Sequence, residues 1–194
     1  IVEGINSYFE EQMLKGIIDF SLCALPVFSS EIDYEIITEE RILIVVPRGH
    51  PLLEGMDVSK NSLRNLLYIE PRKLNGQRFI SLAPGQGLYR TTQQLFERHG
   101  IKPESIMEIT NSDTAFRLSA AGVGITVTPE CSAIYPSSPV QPVYCSVDNP
   151  PFTRKLVAAY KKEGCLSLPA RKFIDMAKEI VTTCPDLQIP RDMH

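Results

Sequence analysis

The stretch from residue 111 to residue 129 constrains the fold of this chain more than any other part of its sequence. It opens with polar residues whose side chains can cap the free backbone N–H groups of a helix: Asn111, Ser112 and Asp113. Gly122 and Gly124 then end the helix, since glycine tolerates positive φ, and the aliphatic residues behind them predict a buried strand. A helix and a strand joined by so short a turn indicate an α/β fold. The N–H groups of the first helical turn also suit a bound anion.

The composition excludes several kinds of protein. The chain has 194 residues, of which 43% are hydrophobic and 22% charged, values ordinary for a soluble globular protein. Its 20 Lys and Arg against 23 Asp and Glu give a net charge of −3, so it offers no basic field to a nucleic-acid backbone. No apolar run reaches about 18 residues, and no secretion signal is recognisable. We therefore expect a cytoplasmic protein that touches neither a membrane nor, through this chain, DNA.

The five cysteines form no recognisable metal or disulfide pattern. Their number is odd, they are widely spread, and neither a Cys-x-x-Cys pair nor a histidine at ligand spacing accompanies them. An odd count in a chain of this size fits a reducing compartment. We expect no metal and no cofactor, although the sequence leaves redox sensing by one cysteine pair open. The cysteines are Cys23, Cys131, Cys145, Cys165 and Cys184.

Strand and helix patterns alternate along the chain, as an α/β fold requires. Apolar residues at helical spacing predict helices over residues 6–16, 62–67, 88–99 and 169–182, besides the one that begins at Asn111, with Ser167 as the cap of the last. The unbroken aliphatic run over residues 41–46 is typical of a strand covered on both faces. The other predicted strands are 17–25, 34–37, 79–82, 105–109, 124–128, 140–147 and 153–160.

Several motifs occur in the order and at the spacing found in one protein family. They are E-G at residues 3–4, L-K-G-I-I-D-F-S at 14–21, E-R-I-L-I-V-V-P-R-G-H-P-L at 40–52, F-I-S-L at 79–82, the stretch 96–103, and S-A-A-G-V-G-I-T-V-T-P at 119–129. Together they resemble the effector-binding (regulatory) domain of LysR-type transcriptional regulators. The resemblance covers nearly everything up to about residue 182.

This resemblance implies an α/β fold of two Rossmann-like subdomains joined by two crossover strands, as in type II periplasmic binding proteins. The crossovers would be residues 41–46 and 153–160. Subdomain I would comprise residues 1–45 and 157–183, subdomain II residues 46–156, and residues 184–194 a flexible tail. Compared with the family pattern, the chain lacks the usual first strand and helix, and also the N-terminal winged helix-turn-helix through which family members bind DNA.

The resemblance also implies a function. A small effector such as an organic acid, an amino acid or an inorganic anion would bind in the cleft between the subdomains. Binding would change the geometry of the assembly, which would be a homodimer for this domain and a tetramer for the full-length regulator. Such a switch requires the ligand to favour one arrangement energetically.

Eight residues are the predicted effector contacts. Cys23 and Ala24 end a strand, at the edge where open α/β sheets bind ligands. Ser81, Pro84 and Gly85 match the family's cleft loop, where glycine lets N–H groups approach an anion. The other three, Asn111, Ser112 and Thr128, belong to residues 111–129.

Structural interpretations stay open for each of them. Cys23 can be a small buried residue, the loop a plain turn from strand to helix, and Asn111 with Ser112 a helix cap alone. Thr126 and Thr128 alternate with Val127 along their strand, so both point to one face. The two histidines outside the tail have structural interpretations, His50 in a turn and His99 at a helix end, where an imidazole suits the dipole.

Two other classes of protein remain as alternatives. The first is a stand-alone type II solute-binding protein of a transporter, which the absence of a signal sequence and the free thiols disfavour. The second is an enzyme that uses a thiol, which needs a base within hydrogen-bond reach. No cluster of Cys, His and acid, no Gly-x-Ser-x-Gly and no phosphate-binding loop is present. We therefore expect no enzymatic activity.

Overall fold

The computed structural model describes residues 2, 4–134, 140–163 and 166–183. These described residues divide into two compact units: unit 1 comprises those within the ranges 1–40, 85–87 and 153–194, and unit 2 those within the ranges 41–84 and 88–152. Two short 3-10 helices, Pro51–Leu53 and Pro71–Leu74, lie in unit 2. The main elements in chain order are α1 (Asn6–Leu14), β1 (Phe20–Ala24), β2 (Ile32–Val46), β3 (Leu67–Tyr68), β4 (Arg78–Leu82), α2 (Gly87–His99), β5 (Ser105–Ile109), α3 (Ser112–Ala120), β6 (Ile125–Pro129), α4 (Cys131–Ile134), β7 (Val143–Ser146), β8 (Thr153–Lys161) and α5 (Leu168–Thr183).

Unit 1 is a small sheet with a helix on each face. β8 lies between β1, to which it is antiparallel, and β2. On one face, Met13 of α1 is buried against Val157 and Ala159 of β8. On the other side, α5 buries Ala170 and Ile174, and its partly exposed Phe173 meets the ring of Phe20 with the ring centroids 5.5 Å apart. Burial of these two helix faces supplies the core of the unit.

Helix α5 is fixed by both its cap and its charges. The Ser167 hydroxyl accepts the Ala170 N–H at 3.3 Å, as the sequence predicts. Two cations about two helical turns apart, Arg171 and Lys178, both bind the carboxylate of Glu35 on β2. The predicted helix over 169–182 is therefore confirmed, with one further residue at each end.

Unit 2 is a six-stranded sheet in the order β3-β7-β2-β6-β4-β5. The part of β2 that belongs to this unit is antiparallel to both β6 and β7, whereas β4 is parallel to both β5 and β6. The larger core cluster includes Phe79 of β4 and Phe96 of α2, whose rings meet edge to face at 4.9 Å. A second cluster joins Phe116 of α3 to Leu43 and Val45 of β2.

The two glycines between α3 and β6 have different roles. Gly122 has a φ of +93°, the left-handed conformation that ends a helix at low cost only for glycine. Gly124 has no such φ, but a Cβ there would lie 2.9 Å from the carbonyl oxygen of Arg78 on β4. The predicted succession of helix, Gly-x-Gly turn and buried strand is confirmed, and the second glycine also permits close approach of two strands.

Two predictions differ from the structure, and the short elements β3 and α4 were not predicted. The predicted strands 34–37 and 41–46 are one 15-residue strand, β2. Its polar middle does not interrupt it, because Glu40 is buried and accepts a hydrogen bond from Arg154 Nε at 2.6 Å. The predicted helix over 62–67 is wrong: the backbone of Ser62 and Asn65 pairs as an isolated bridge instead. Asn61 holds this segment in place by exchanging two 2.8 Å side-chain bonds with the backbone of Tyr144.

Apart from the short segment 85–87, the chain passes between the units after Glu40 and after Phe152. These points lie five and four residues before the boundaries expected after residues 45 and 156. The division into two functional subdomains stays a prediction. The expected flexible tail, residues 184–194, lies outside the described residues.

Candidate functional site

Five of the predicted effector contacts lie along one edge of the sheet in unit 2. Because β4 is parallel to β5 and β6, the carboxyl ends of these three strands share an edge. Open α/β sheets bind their ligands at such an edge. Each strand brings predicted residues there: Ser81 and Pro84 at β4, Asn111 and Ser112 after β5, and Thr128 on β6.

Asn111 is the N-cap of α3. Its backbone is extended, with φ −125° and ψ 124°, and its Oδ1 accepts the Thr114 N–H at 2.9 Å. Ser112 is the first residue of the helix, and Asp113 forms an ion pair with Arg117 one turn later, at 2.7 Å. The capping interpretation of Asn111 is confirmed. Contact of Asn111 and Ser112 with a ligand stays a prediction.

Thr126 and Thr128 face the same side of β6, and their side chains are bonded differently. Both residues are 1% exposed. The hydroxyl of Thr126 donates to the carbonyl oxygen of Ile80 at 2.8 Å. The Thr128 Oγ1 is out of contact with solvent and has no hydrogen-bond partner among the described residues. Since the large majority of buried side-chain polar atoms in native proteins are paired, the Thr128 hydroxyl is unusual, and its contact with a ligand stays a prediction.

A charged pair lies two residues beyond Thr128. Arg41 Nε donates to Glu130 Oε2 at 2.8 Å, and Nη2 of the same guanidinium reaches Glu130 Oε1 and the carbonyl oxygen of Leu63. Both side chains are 11% exposed. This bidentate arrangement is the strong form of an ion pair, and it leaves the two charges compensating each other.

The loop after β4 combines a weak side-chain bond with a backbone position that requires glycine. Ser81 is buried, and its hydroxyl donates to the Leu82 carbonyl oxygen at 3.3 Å, a long bond for a hydroxyl. Pro84 and Gly85 are exposed, and Gly85 has a φ of +93°. Gly85 belongs to the short segment assigned to unit 1, so the loop leaves unit 2 after Pro84. The turn interpretation of this loop is confirmed, and its contact with an effector stays a prediction.

Cys23 and Ala24 lie at the carboxyl end of β1 in unit 1. The carbonyl oxygen of Ala24 accepts a hydrogen bond from Asn6 Nδ2 at 3.2 Å. Cys23 packs against the cluster around Met13, and burial, aided by the charge of Glu10, raises the pKa of its thiol to about 11. The structural interpretation of Cys23 as a small packed residue is therefore supported. Its role as an effector contact stays a prediction.

The thiols of Cys23 and Cys145 have the wrong environment for nucleophilic or redox chemistry. Burial raises the pKa of Cys145 to about 12, so both Cys145 and Cys23 are held in the protonated form. The thiolate is the reactive species. Cys131, the first residue of α4, is exposed. In the described parts of the chain, no group of three or more His, Cys, Asp or Glu residues is placed to hold a metal ion.

Sequence reasoning missed the two charged residues in the middle of β2. Glu40 is 4% exposed and binds Arg154, while Arg41 binds Glu130. The signal was present as a charged pair at the start of an aliphatic run. The partners lie 114 and 89 residues along the chain, so the sequence pattern gives no indication of which charges meet.

The comparisons with known proteins agree on one family. The family described as "LysR substrate binding domain" matches residues 1–181. The HTH-type transcriptional regulator YybE of Bacillus subtilis is 30% identical over 131 residues, which are 66% of this chain and 41% of the relative. The chain thus spans less than half of that relative's length. Across the helices of its described residues, none is long and apolar enough to cross a membrane.

Two solved structures have a similar fold. The regulatory domain of CcmR from Synechocystis PCC6803, in complex with 2-PG, has a TM-score of 0.77 at 19% identity, with 93% of this chain and 81% of that chain covered. The effector-binding domain of QuiR, in complex with shikimate, has a TM-score of 0.70 at 18% identity, with 91% and 78% covered. At such identities the likeness shows the fold alone.

Proposed function

The chain belongs to the LysR substrate binding domain family, and from this premise we propose that it is the effector-sensing part of a DNA-binding transcription regulator. The fold class predicted from the sequence is confirmed as α/β and periplasmic-binding-protein-like. The matched relatives are transcriptional regulators rather than enzymes. In this proposal the domain forms a homodimer and the full-length protein a tetramer. The full-length protein is cytoplasmic and binds DNA through a winged helix-turn-helix outside this chain.

One observation carries this proposal, the unpaired hydroxyl of Thr128. A buried polar group without a partner costs about 1–3 kcal/mol, so a fold that keeps one gains when a ligand supplies the missing bond. Thr128 is the second-last residue of β6, at the same sheet edge as the start of α3. A ligand there meets a side-chain hydroxyl from one element and helix N–H groups from another.

The proposed ligand is a small organic acid. The N–H groups in the first turn of a helix, together with the dipole, favour a negative group, and α3 begins at this edge of the sheet, after β5. The Arg41 guanidinium is already paired with Glu130, so this edge of the sheet would bind an acid through hydroxyl and backbone N–H groups. Shikimate, which the QuiR domain binds, is a suitable first test compound.

A thermal-shift experiment with two matched variants tests it. Thr128→Val removes the unpaired hydroxyl at nearly constant shape, and Thr126→Val does the same two residues away, where the hydroxyl is already bonded to Ile80. A panel of small acids, including shikimate, is added at saturating concentration. A ligand at 100 times its dissociation constant adds about 2.7 kcal/mol to the free energy of unfolding.

The wild type and Thr126→Val should then melt at a higher temperature with the same acid, while Thr128→Val should lose most of that shift. Each variant is compared with its own ligand-free melting temperature, so a change in basal stability does not enter the result. If no acid shifts the wild type, or if both variants respond alike, the Thr128 edge is not an effector site.

A further inference from the structure

We draw no further inference here: the strongest candidate, the exposed apolar surface of unit 1 at Leu22 on the edge strand β1 and at Phe173 and Met176 on α5, carries nothing because nothing in the structure shows what covers it.

Discussion

Thr126 and Thr128 lie two residues apart on the same face of β6, and their hydroxyls differ in one respect: Thr126 Oγ1 donates to Ile80 O at 2.8 Å, whereas Thr128 Oγ1 has no partner within the described chain. We expect Thr126→Val to lower the free energy of unfolding by about 0.5–1.5 kcal/mol, because one net hydrogen bond is lost. Thr128→Val should leave it unchanged or raise it, because an unpaired polar group is removed. Urea unfolding without ligand, followed by circular dichroism, measures both. Equal losses in the two variants would show that Thr128 has a partner.

The two glycines after α3 should be intolerant of alanine for different reasons. Gly124→Ala places a Cβ 2.9 Å from the Arg78 carbonyl oxygen and should cost about 1–3 kcal/mol, as overpacking does. Gly122→Ala meets no atom within 4 Å but retains a φ of +93°, for a cost of about 1 kcal/mol. Gly49→Ala is the control, with neither a positive φ nor an atom within 4 Å. Chemical denaturation ranks the three variants, and a neutral Gly124→Ala would contradict the close strand approach.

Acid should weaken the attachment of α5 to β2 through Glu35. Hydrogen bonds from Lys178 and then Arg171 lower the pKa of Glu35 from 4.5 to about 2. A carboxyl whose pKa is lower in the folded state stabilises the fold above its unfolded pKa, and this contribution is lost as the pH falls from 4.5 towards 2. Unfolding measured between pH 6 and 2 should show a smaller loss of stability in Glu35→Gln than in the wild type. Glu179→Gln, on the exposed side of α5, should follow the wild-type curve.

His50 should make a smaller contribution of the same sign near neutral pH. Its Nδ1 accepts the Leu52 N–H at 3.2 Å, and burial lowers the pKa of His50 from 6.5. Stability from this cap is present above pH 6.5 and is lost as the pH falls through the lowered pKa, because a protonated ring cannot accept the bond. His50→Asn keeps an acceptor at the cap and should remove this part of the pH dependence. If the two curves coincide between pH 7 and 5, the histidine cap contributes nothing.

The described cysteines should react with iodoacetamide in a fixed order. Cys131 is exposed, whereas burial raises the pKa of Cys23 to about 11 and that of Cys145 to about 12. Since the thiolate is the nucleophile, Cys131 should be labelled first in the native protein, and Cys145 last. Peptide mass spectrometry after timed quenching gives the rates, with labelling in urea as the reference. Fast native labelling of Cys23 would reopen the possibility of redox sensing.

Most elements of the fold follow from local patterns, and the exceptions have physical reasons. The strand over 105–109 and the cap at Asn111 were predictable from alternation and capping chemistry alone. The segment 62–67 was not, because its conformation is set by Asn61 bonding to Tyr144, 83 residues away. β2 appeared as two strands because its polar middle is stabilised by partners that are distant in sequence.

The candidate site was predictable in position but not in bonding. Parallel strands bring Ser81, Asn111 and Thr128 to one edge, whereas the sequence grouped them only through the family resemblance. Nothing in the sequence distinguishes Thr128 from Thr126, since the difference lies in whether a carbonyl oxygen of β4 is within reach. Glu40 was missed for the same reason, because only the packed structure shows that its buried Oε2 has no partner among the described residues.

Opposite charges at Glu40 and Arg41 also protect the alignment of β2 with its neighbours. Glu40 binds Arg154, and Arg41 binds Glu130. If β2 slipped by one residue in one direction, Arg41 would face Arg154; in the other direction, Glu40 would face Glu130. A slip of one residue also turns every side chain to the wrong face of a sheet. Two adjacent side chains of opposite sign thus act as a check on strand pairing during folding, since either misalignment replaces an attraction with a repulsion.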